Sequence, residues 1–209
     1  MAKVHPNMVP APGAVVAEPA RPVAERAEEA PTTLTVWRKS LLFDCKGFTV
    51  FDAKGNLVYR VDSYASETGD EVVLMETAGR PAFTIRRKRF SLQREQWLVF
   101  AGEETRRPVY AVRRGGRGNN KTMAHVTSCA GGASYEVEGS YARRCCVVYD
   151  GERRAVAEVK PKEVVGTDVF RLVVQPGVGV SLTMAVVVAL EQMSTRPSLL
   201  RSWSSSSII

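Results

Sequence analysis

The chain has 209 residues, 44% of them apolar and 8% aromatic, which suffices for one domain with a real core and is ordinary for a soluble globular protein. Its net charge of +7 favours anionic partners (lipid headgroups, nucleic acid or acidic proteins) without choosing among them. The four cysteines, Cys45, Cys129, Cys145 and Cys146, include no C-x-x-C pair, so they suggest neither a zinc site nor a disulfide framework and suit a reducing compartment.

Residues 1–32 are Ala, Pro and Glu with scattered larger apolar residues, too few to offset the entropy of ordering them, so they read as a disordered tail. Pro10, Pro12 and Pro19 interrupt any signal-peptide core, and Ala2 excludes N-myristoylation. The expected location is cytoplasmic, with a peripheral membrane position or the nucleus as the alternatives. The tail holds Lys3, Arg21 and Arg26 against Glu18, Glu25, Glu28 and Glu29; with −1 there and +7 overall, the rest of the chain carries +8.

The folded domain is expected over 33–197, with 198–209 as a loose Ser-rich tail. Inside it, short β-type runs follow one another: Leu34–Arg38, Phe48–Phe51, Leu57–Val61, Glu71–Met75, Ala82–Arg86, Lys88–Leu92, Trp97–Phe100, Val109–Val112, Thr122–Thr127, Ser134–Glu138, Cys146–Tyr149, Ala155–Val159 and Val169–Val174. Turn residues punctuate them, as in a barrel or sandwich. One hairpin plan recurs in FTVFDAKGNLVYRV, VVLMETAGRPAFTI and CCVVYDGERRAVAEV. Each has an acidic turn residue (Asp52, Glu76, Asp150) and a glycine (Gly55, Gly79, Gly151) expected to supply a positive φ. Ordinary hairpin grammar and a true internal repeat both account for this. The basic segment Arg113–Lys121 (RRGGRGNNK) reads as an excursion between two strands.

The last apolar run, Val178 through Leu190 (VGVSLTMAVVVAL), carries no charge. Ser181 and Thr183 form no polar stripe, and a helix apolar all round must be enclosed on every side. A membrane span needs roughly 20 apolar residues, whereas Gln175-Pro176-Gly177 breaks this run on one side and Glu191-Gln192 is expected to end it on the other. The reading is one hydrophobic helix swallowed by a β-sheet protein, with Pro176 and Gly177 as the lead-in turn. A membrane anchor and a buried strand are the competing readings.

A strand-rich chain with D-x-x-G hairpins, the segment FTIRRKRFSLQREQWLVFAGE, and a hydrophobic helix after DVFRLVVQPGVGVSLTMAVVVALEQM together resemble the plant LURP-one-related family. The similarity covers most of Leu34–Met193. That family resembles the tubby C-terminal domain and the phospholipid scramblases, which implies a mainly β fold: a closed twelve-stranded tubby-like barrel around one central hydrophobic C-terminal helix. The helix would fill the barrel and leave little room for an internal ligand. Tubby domains bind phosphoinositides through a basic surface, and members of the LURP-one-related family are associated with plant defence. No tubby site residue aligns one by one onto this chain. The cysteine-rich palmitoylation cluster and acidic calcium loop of scramblases are missing.

The sharpest basic feature is Arg86-Arg87-Lys88-Arg89. Alternate strand residues project to opposite faces, so about half of it serves any one surface. With Arg113, Arg114, Arg117 and Lys121 it forms a candidate anionic-lipid patch; the bland alternative is a strand edge guarded by charge. Nuclear import or nucleic-acid contact through RRKR is disfavoured by its place in a hairpin. Trp37, Phe48, Phe51, Phe83, Phe90, Trp97 and Phe100, spread over alternating strands, read as core rather than as a stacking platform. His5 lies in the tail and His125 in a strand-like run, Cys45, Cys145 and Cys146 have no identifiable base, and no P-loop, dinucleotide fingerprint or nucleophile elbow is present. No enzyme activity, cofactor or metal is expected. The function expected is lipid binding in signalling or defence, with a protein-interaction scaffold lacking a lipid ligand as the alternative; protein partners stay unnamed.

Overall fold

The computed structural model describes residues 30–39, 47–62, 70–88, 95–104, 106–116, 121–162 and 166–195. Twelve strands run in chain order: β1 (Thr32–Trp37), β2 (Gly47–Phe51), β3 (Leu57–Asp62), β4 (Glu71–Glu76), β5 (Pro81–Arg87), β6 (Gln96–Ala101), β7 (Tyr110–Arg114), β8 (Thr122–Ser128), β9 (Ser134–Ser140), β10 (Cys145–Asp150), β11 (Ala155–Pro161) and β12 (Val169–Val174). Helix α1 (Val180–Thr195) follows. Each strand pairs antiparallel with its sequence neighbours, and β1 closes on β12 with Leu34 opposite Leu172 and Val36 opposite Phe170. Closure leaves no open edge for another strand to join.

Strand alternation sends one side chain in two to the interior. Leu34 and Val36, Val72 and Leu74, Trp97 and Val99, and Phe170 and Leu172 are all buried there. Phe170 meets Phe48 and Tyr141 edge to face, with ring centroids 6.4 Å and 6.2 Å apart. Helix α1 occupies the remaining space, and every residue from Thr183 through Glu191 is buried. The void between α1 and strands β9, β10 and β11 is about 10 Å³, lined by apolar groups including Tyr135, Val148 and Leu182, so it holds at most about one water. Enclosure rather than propensity makes this segment helical, because Val186-Val187-Val188 is a poor helix former in water. Gly177 takes φ +85° in the lead-in turn, and the Thr183 hydroxyl donates back to the Gly179 carbonyl at 3.0 Å.

Twelve of the expected runs are strands. The thirteenth, Lys88–Leu92, is not one where it can be seen: Lys88 already lies beyond β5, and 89–92 fall outside the described residues, as do the tail through residue 29, 196–209, Cys45 and Phe90. The apolar run ends at Glu191-Gln192, while the helix itself continues to Thr195, with the Glu191 carboxylate neutralised inside the barrel. Of the aromatics read as core, Trp37 is 43% exposed, since it occupies an outward position next to the inward Val36. Phe51 and Phe83 are half-buried.

The recurrent hairpins share one turn. In β2–β3, β4–β5 and β10–β11 the ladder shifts register just before the acidic residue, whose carbonyl accepts from the amide three positions on: Gly55, Gly79 and Arg153. That third position has φ of +85°, +80° and +63° respectively. The positive φ in the last hairpin therefore belongs to Arg153, not to Gly151. Arg153 is held there by ion pairs to Glu136 and Glu138, both at 3.0 Å, and by stacking on Tyr149. The Asp52 and Asp150 carboxylates cap their turns by accepting backbone N–H bonds; the Asn56 side-chain amide and then backbone N–H groups hold Asp52 below the usual carboxylate range, as the Arg154 backbone N–H foremost does for Asp150. Gly79→Ala should cost about 1 kcal/mol in denaturant unfolding, purely through backbone strain, because its Cβ would meet nothing closer than 4.0 Å. Gly151→Ala should be nearly neutral, its nearest atom being the Ser134 hydroxyl at 3.8 Å. Equal losses at the two sites would contradict this assignment of the turn.

Candidate functional site

The two ends of the barrel differ in charge. At one end stand the tight hairpin turns, where Asp52, Glu76, Glu103, Glu104, Asp150 and Glu152 match Lys54, Arg80, Arg106, Arg107, Arg153 and Arg154. Several pair directly, such as Arg80 with Glu76 at 2.6 Å and Arg154 with Asp150 at 2.8 Å. At the other end, where α1 finishes, cations outnumber acids among the described side chains. Arg38, Lys39, Arg86, Arg87, Lys88, Arg113, Arg114, Lys121, Arg143, Arg144, Lys160, Lys162 and Arg171 face Asp70, Glu71, Glu95, Glu138, Glu158, Asp168 and Glu191. The two basic motifs read from the sequence thus come together at the helix-exit end, on neighbouring strands.

They do not form one equivalent set. On β5, Arg86 points outward opposite Leu98, with its Nε 2.5 Å from a Glu71 carboxylate oxygen and its guanidinium over Phe100. Arg87 occupies an inward rim position opposite the buried Trp97 and lies 3.9 Å from Asp70. Arg114 also takes an inward position, opposite Ala124; it pairs with Glu95 at 3.0 Å and donates to the Met193 carbonyl in the last turn of α1. A cation there complements the negative end of the helix dipole. Lys88, Arg113 and Lys121 are exposed and have no acidic partner among the described residues. Arg89 and Arg117 lie outside the described residues. Neighbouring strands are about 4.8 Å apart, so Lys88 after β5, Arg113 on β7 and Lys121 before β8 fall on one arc of the rim roughly 15 Å long.

Two further groups escape a reading of basic runs. Arg143 is exposed in the short 3-10 turn Tyr141–Arg143, extending the arc beyond β9, and Lys39 follows β1 with its ammonium 5.6 Å above the Trp37 ring. Beneath the rim, Arg144 is buried in the left-handed conformation (φ 52°) and stacks on both Tyr141 and Phe170. Its guanidinium pairs with Glu191 at 3.0 Å and donates to the Thr167 carbonyl, also at 3.0 Å. Arg38 holds the other Glu191 oxygen at 3.1 Å and reaches Asp168 at 3.5 Å. The Tyr141 hydroxyl lies in the same pocket, where burial and then the Glu191 charge push its pKa well above 10. The one signal for this network in the sequence is that Glu191 is the first charge after the apolar run.

The other candidates are dispersed. His125, half-exposed on β8, has its Nδ1 3.7 Å from Glu136. Cys145 is exposed while Cys146 points inward, as adjacent strand residues must, and burial pushes the Cys146 thiol up to about 12. Among the described residues no group of His, Cys, Asp and Glu is placed to hold a metal, and no helix is long and apolar enough to cross a membrane.

Comparison with known proteins agrees with this architecture. Residues 32–191 match the family model described as LURP-one-related. The chain is 42% identical to Protein LURP-one-related 8 of Arabidopsis thaliana over 175 residues, covering 79% of this chain and 88% of that one. It is 36% identical to Protein LURP-one-related 12 of the same plant, covering 77% of each. An X-ray structure of another Arabidopsis thaliana protein superposes with a TM-score of 0.61 at 27% identity, covering 79% of this chain and 92% of that one. With a family model that matches all twelve strands and α1 as far as Glu191, the chain belongs to the LURP-one-related family.

Proposed function

We propose that this protein is a non-enzymatic barrel that binds anionic membrane lipid, phosphoinositide in particular, through its helix-exit end, and acts in signalling or defence. The observation that carries this reading is the arc of exposed cations (Lys88, Arg113 and Lys121, with Arg143 beyond them) that have no acidic partner among the described residues, on the end where cations outnumber acids among the described side chains. Each basic group near an anionic surface contributes on the order of 1 kcal/mol. Four on one arc give salt-sensitive attachment, because charges in contact with water are screened over about 8 Å at physiological ionic strength. Arg86, Arg87 and Arg114 act beneath them, fixing the rim and the helix end. The small pocket beside the start of α1, about 10 Å³, has no room for a lipid headgroup, which supports recognition at the outer surface.

Vesicle co-sedimentation, with and without phosphoinositide, tests this on the full chain. Wild type should pellet with anionic vesicles at low salt and release as salt rises. A Lys88→Ser/Arg113→Ser/Lys121→Ser variant should bind at least about tenfold more weakly while melting like wild type, since these side chains are exposed. Undiminished pelleting of the triple variant would remove the arc from the mechanism. Absence of pelleting at low salt would reject lipid binding in favour of an interaction scaffold.

A further inference from the structure

Among the described residues, Trp37 is the one large hydrophobic side chain left exposed. It is the last residue of β1, and β1 ends at the same barrel end as the cationic arc. It does not belong to that arc: β1 lies between β2 and β12, and β7, which carries Arg113, is six strands away in either direction around the closed barrel. Exposed indole and cation arc therefore stand on opposite sides of one rim. Beside the indole is Lys39, also exposed, with its ammonium over the ring. An indole is suited to the boundary between headgroups and acyl chains, being apolar in body with one N–H donor, and a neighbouring lysine is suited to the phosphates just above it.

These positions bear on orientation. A barrel lying on its side against a membrane through Lys88, Arg113 and Lys121 would leave Trp37 in water on the far wall. Only a barrel standing on its helix-exit end brings both into one plane. We infer that the domain docks end-on, with its axis near the membrane normal, Trp37 inserted at the headgroup boundary, and the cations of the opposite arc and Lys39 on the anionic headgroups. This rests on the lipid-binding reading above and adds an orientation and an anchoring residue to it. In this pose the last turn of α1, capped by Arg114 and held by Arg38 and Arg144, faces the membrane, and the charge-balanced hairpin turns face the solvent.

The test uses the full chain carrying Trp203→Phe, which leaves Trp37 and Trp97 as its fluorophores. Trp97 is wholly buried inside the barrel and out of reach of a lipid-borne quencher. Binding to phosphatidylcholine–phosphatidylserine vesicles with brominated acyl chains should quench and blue-shift the emission. Adding Trp37→Phe should abolish the quenched component, and Trp37→Ala should weaken vesicle binding about threefold or more through lost apolar burial, with the circular dichroism spectrum unchanged. Protein that pellets with the vesicles while its emission ignores the bromine would overturn end-on docking and leave lipid binding intact. Failure to pellet at low salt would overturn both, as would pelleting with neutral vesicles alone for the charge-based pose.

Discussion

Val187→Asp should abolish the cooperative fold. Val187 is 1% exposed at the middle of α1, and its helical neighbours Thr183, Met184, Leu190 and Glu191 are all buried. Arg144, the one buried cation among the described residues, is already matched by Glu191, about one turn beyond Val187. A carboxylate at 187 would have no hydrogen-bond donor facing it, and neutralising or burying it costs several kcal/mol. Typical domain stability is about 5–15 kcal/mol. The barrel is also unable to relax by expelling the helix, because the interior side chains of many strands pack on it. The expected result is loss of the sigmoidal thermal transition and a collapsed or aggregated species in size-exclusion chromatography. Ser194→Asp, at an exposed position on the same helix, should melt within a few degrees of wild type. A soluble Val187→Asp protein with a wild-type melting curve would refute the central position of the helix.

Glu191→Ala should produce the next largest loss, by a different route. The side chains of Arg144 and Glu191 are 5% and 8% exposed, and Arg38 shares the carboxylate. Removing Glu191 leaves the Arg144 guanidinium buried between Tyr141 and Phe170 with its charge uncompensated, an error of about 3–5 kcal/mol. Glu191→Gln, which keeps an acceptor but not the charge, should lose less. Replacing both partners, Arg144→Met with Glu191→Leu, should recover much of the loss, since a well-packed apolar pair is often no worse than a buried ion pair. A double-mutant cycle read by denaturant unfolding checks this. A coupling energy below about 1 kcal/mol, the range of exposed pairs, would show that the network is not what secures the end of α1. Because this pair lies directly beneath the cationic rim, its loss should weaken vesicle binding only in proportion to unfolding. Loss of the exposed cations should do the reverse.

The contrast between these two sites and the rim explains which parts of the molecule were legible beforehand. Strand positions were readable because alternation has a period of two and each run ends in a turn residue; the paired Phe83-Thr84-Ile85 and Val109-Tyr110-Ala111-Val112 patterns are local facts. The helix was readable from what it lacks, a polar stripe, and its lead-in from Pro176-Gly177. Its end was not, because whether Glu191 stops a helix or is swallowed with it depends on Arg144, 47 residues earlier in the chain. The third hairpin turn was misassigned for a similar reason. A glycine is the usual source of a positive φ, but Arg153 holds that conformation with partners on β9 that no local pattern reveals.

By itself the sequence determined the positions of the strands along the chain, the apolar run that must be enclosed, the lack of a metal or nucleophile motif, and a surplus of positive charge in two basic segments. Those properties depend on composition and on spacing within single elements. Which cations are free was decided only by tertiary structure. Strand pairing sets β4 beside β5 and β6 beside β7, so Glu71 and Asp70 neutralise Arg86 and Arg87 and Glu95 neutralises Arg114, while Lys88, Arg113 and Lys121 on the same rim have no acidic partner among the described residues. Charge is a property of residues, but a charged surface depends on distances between strands that the chain brings together only when it closes.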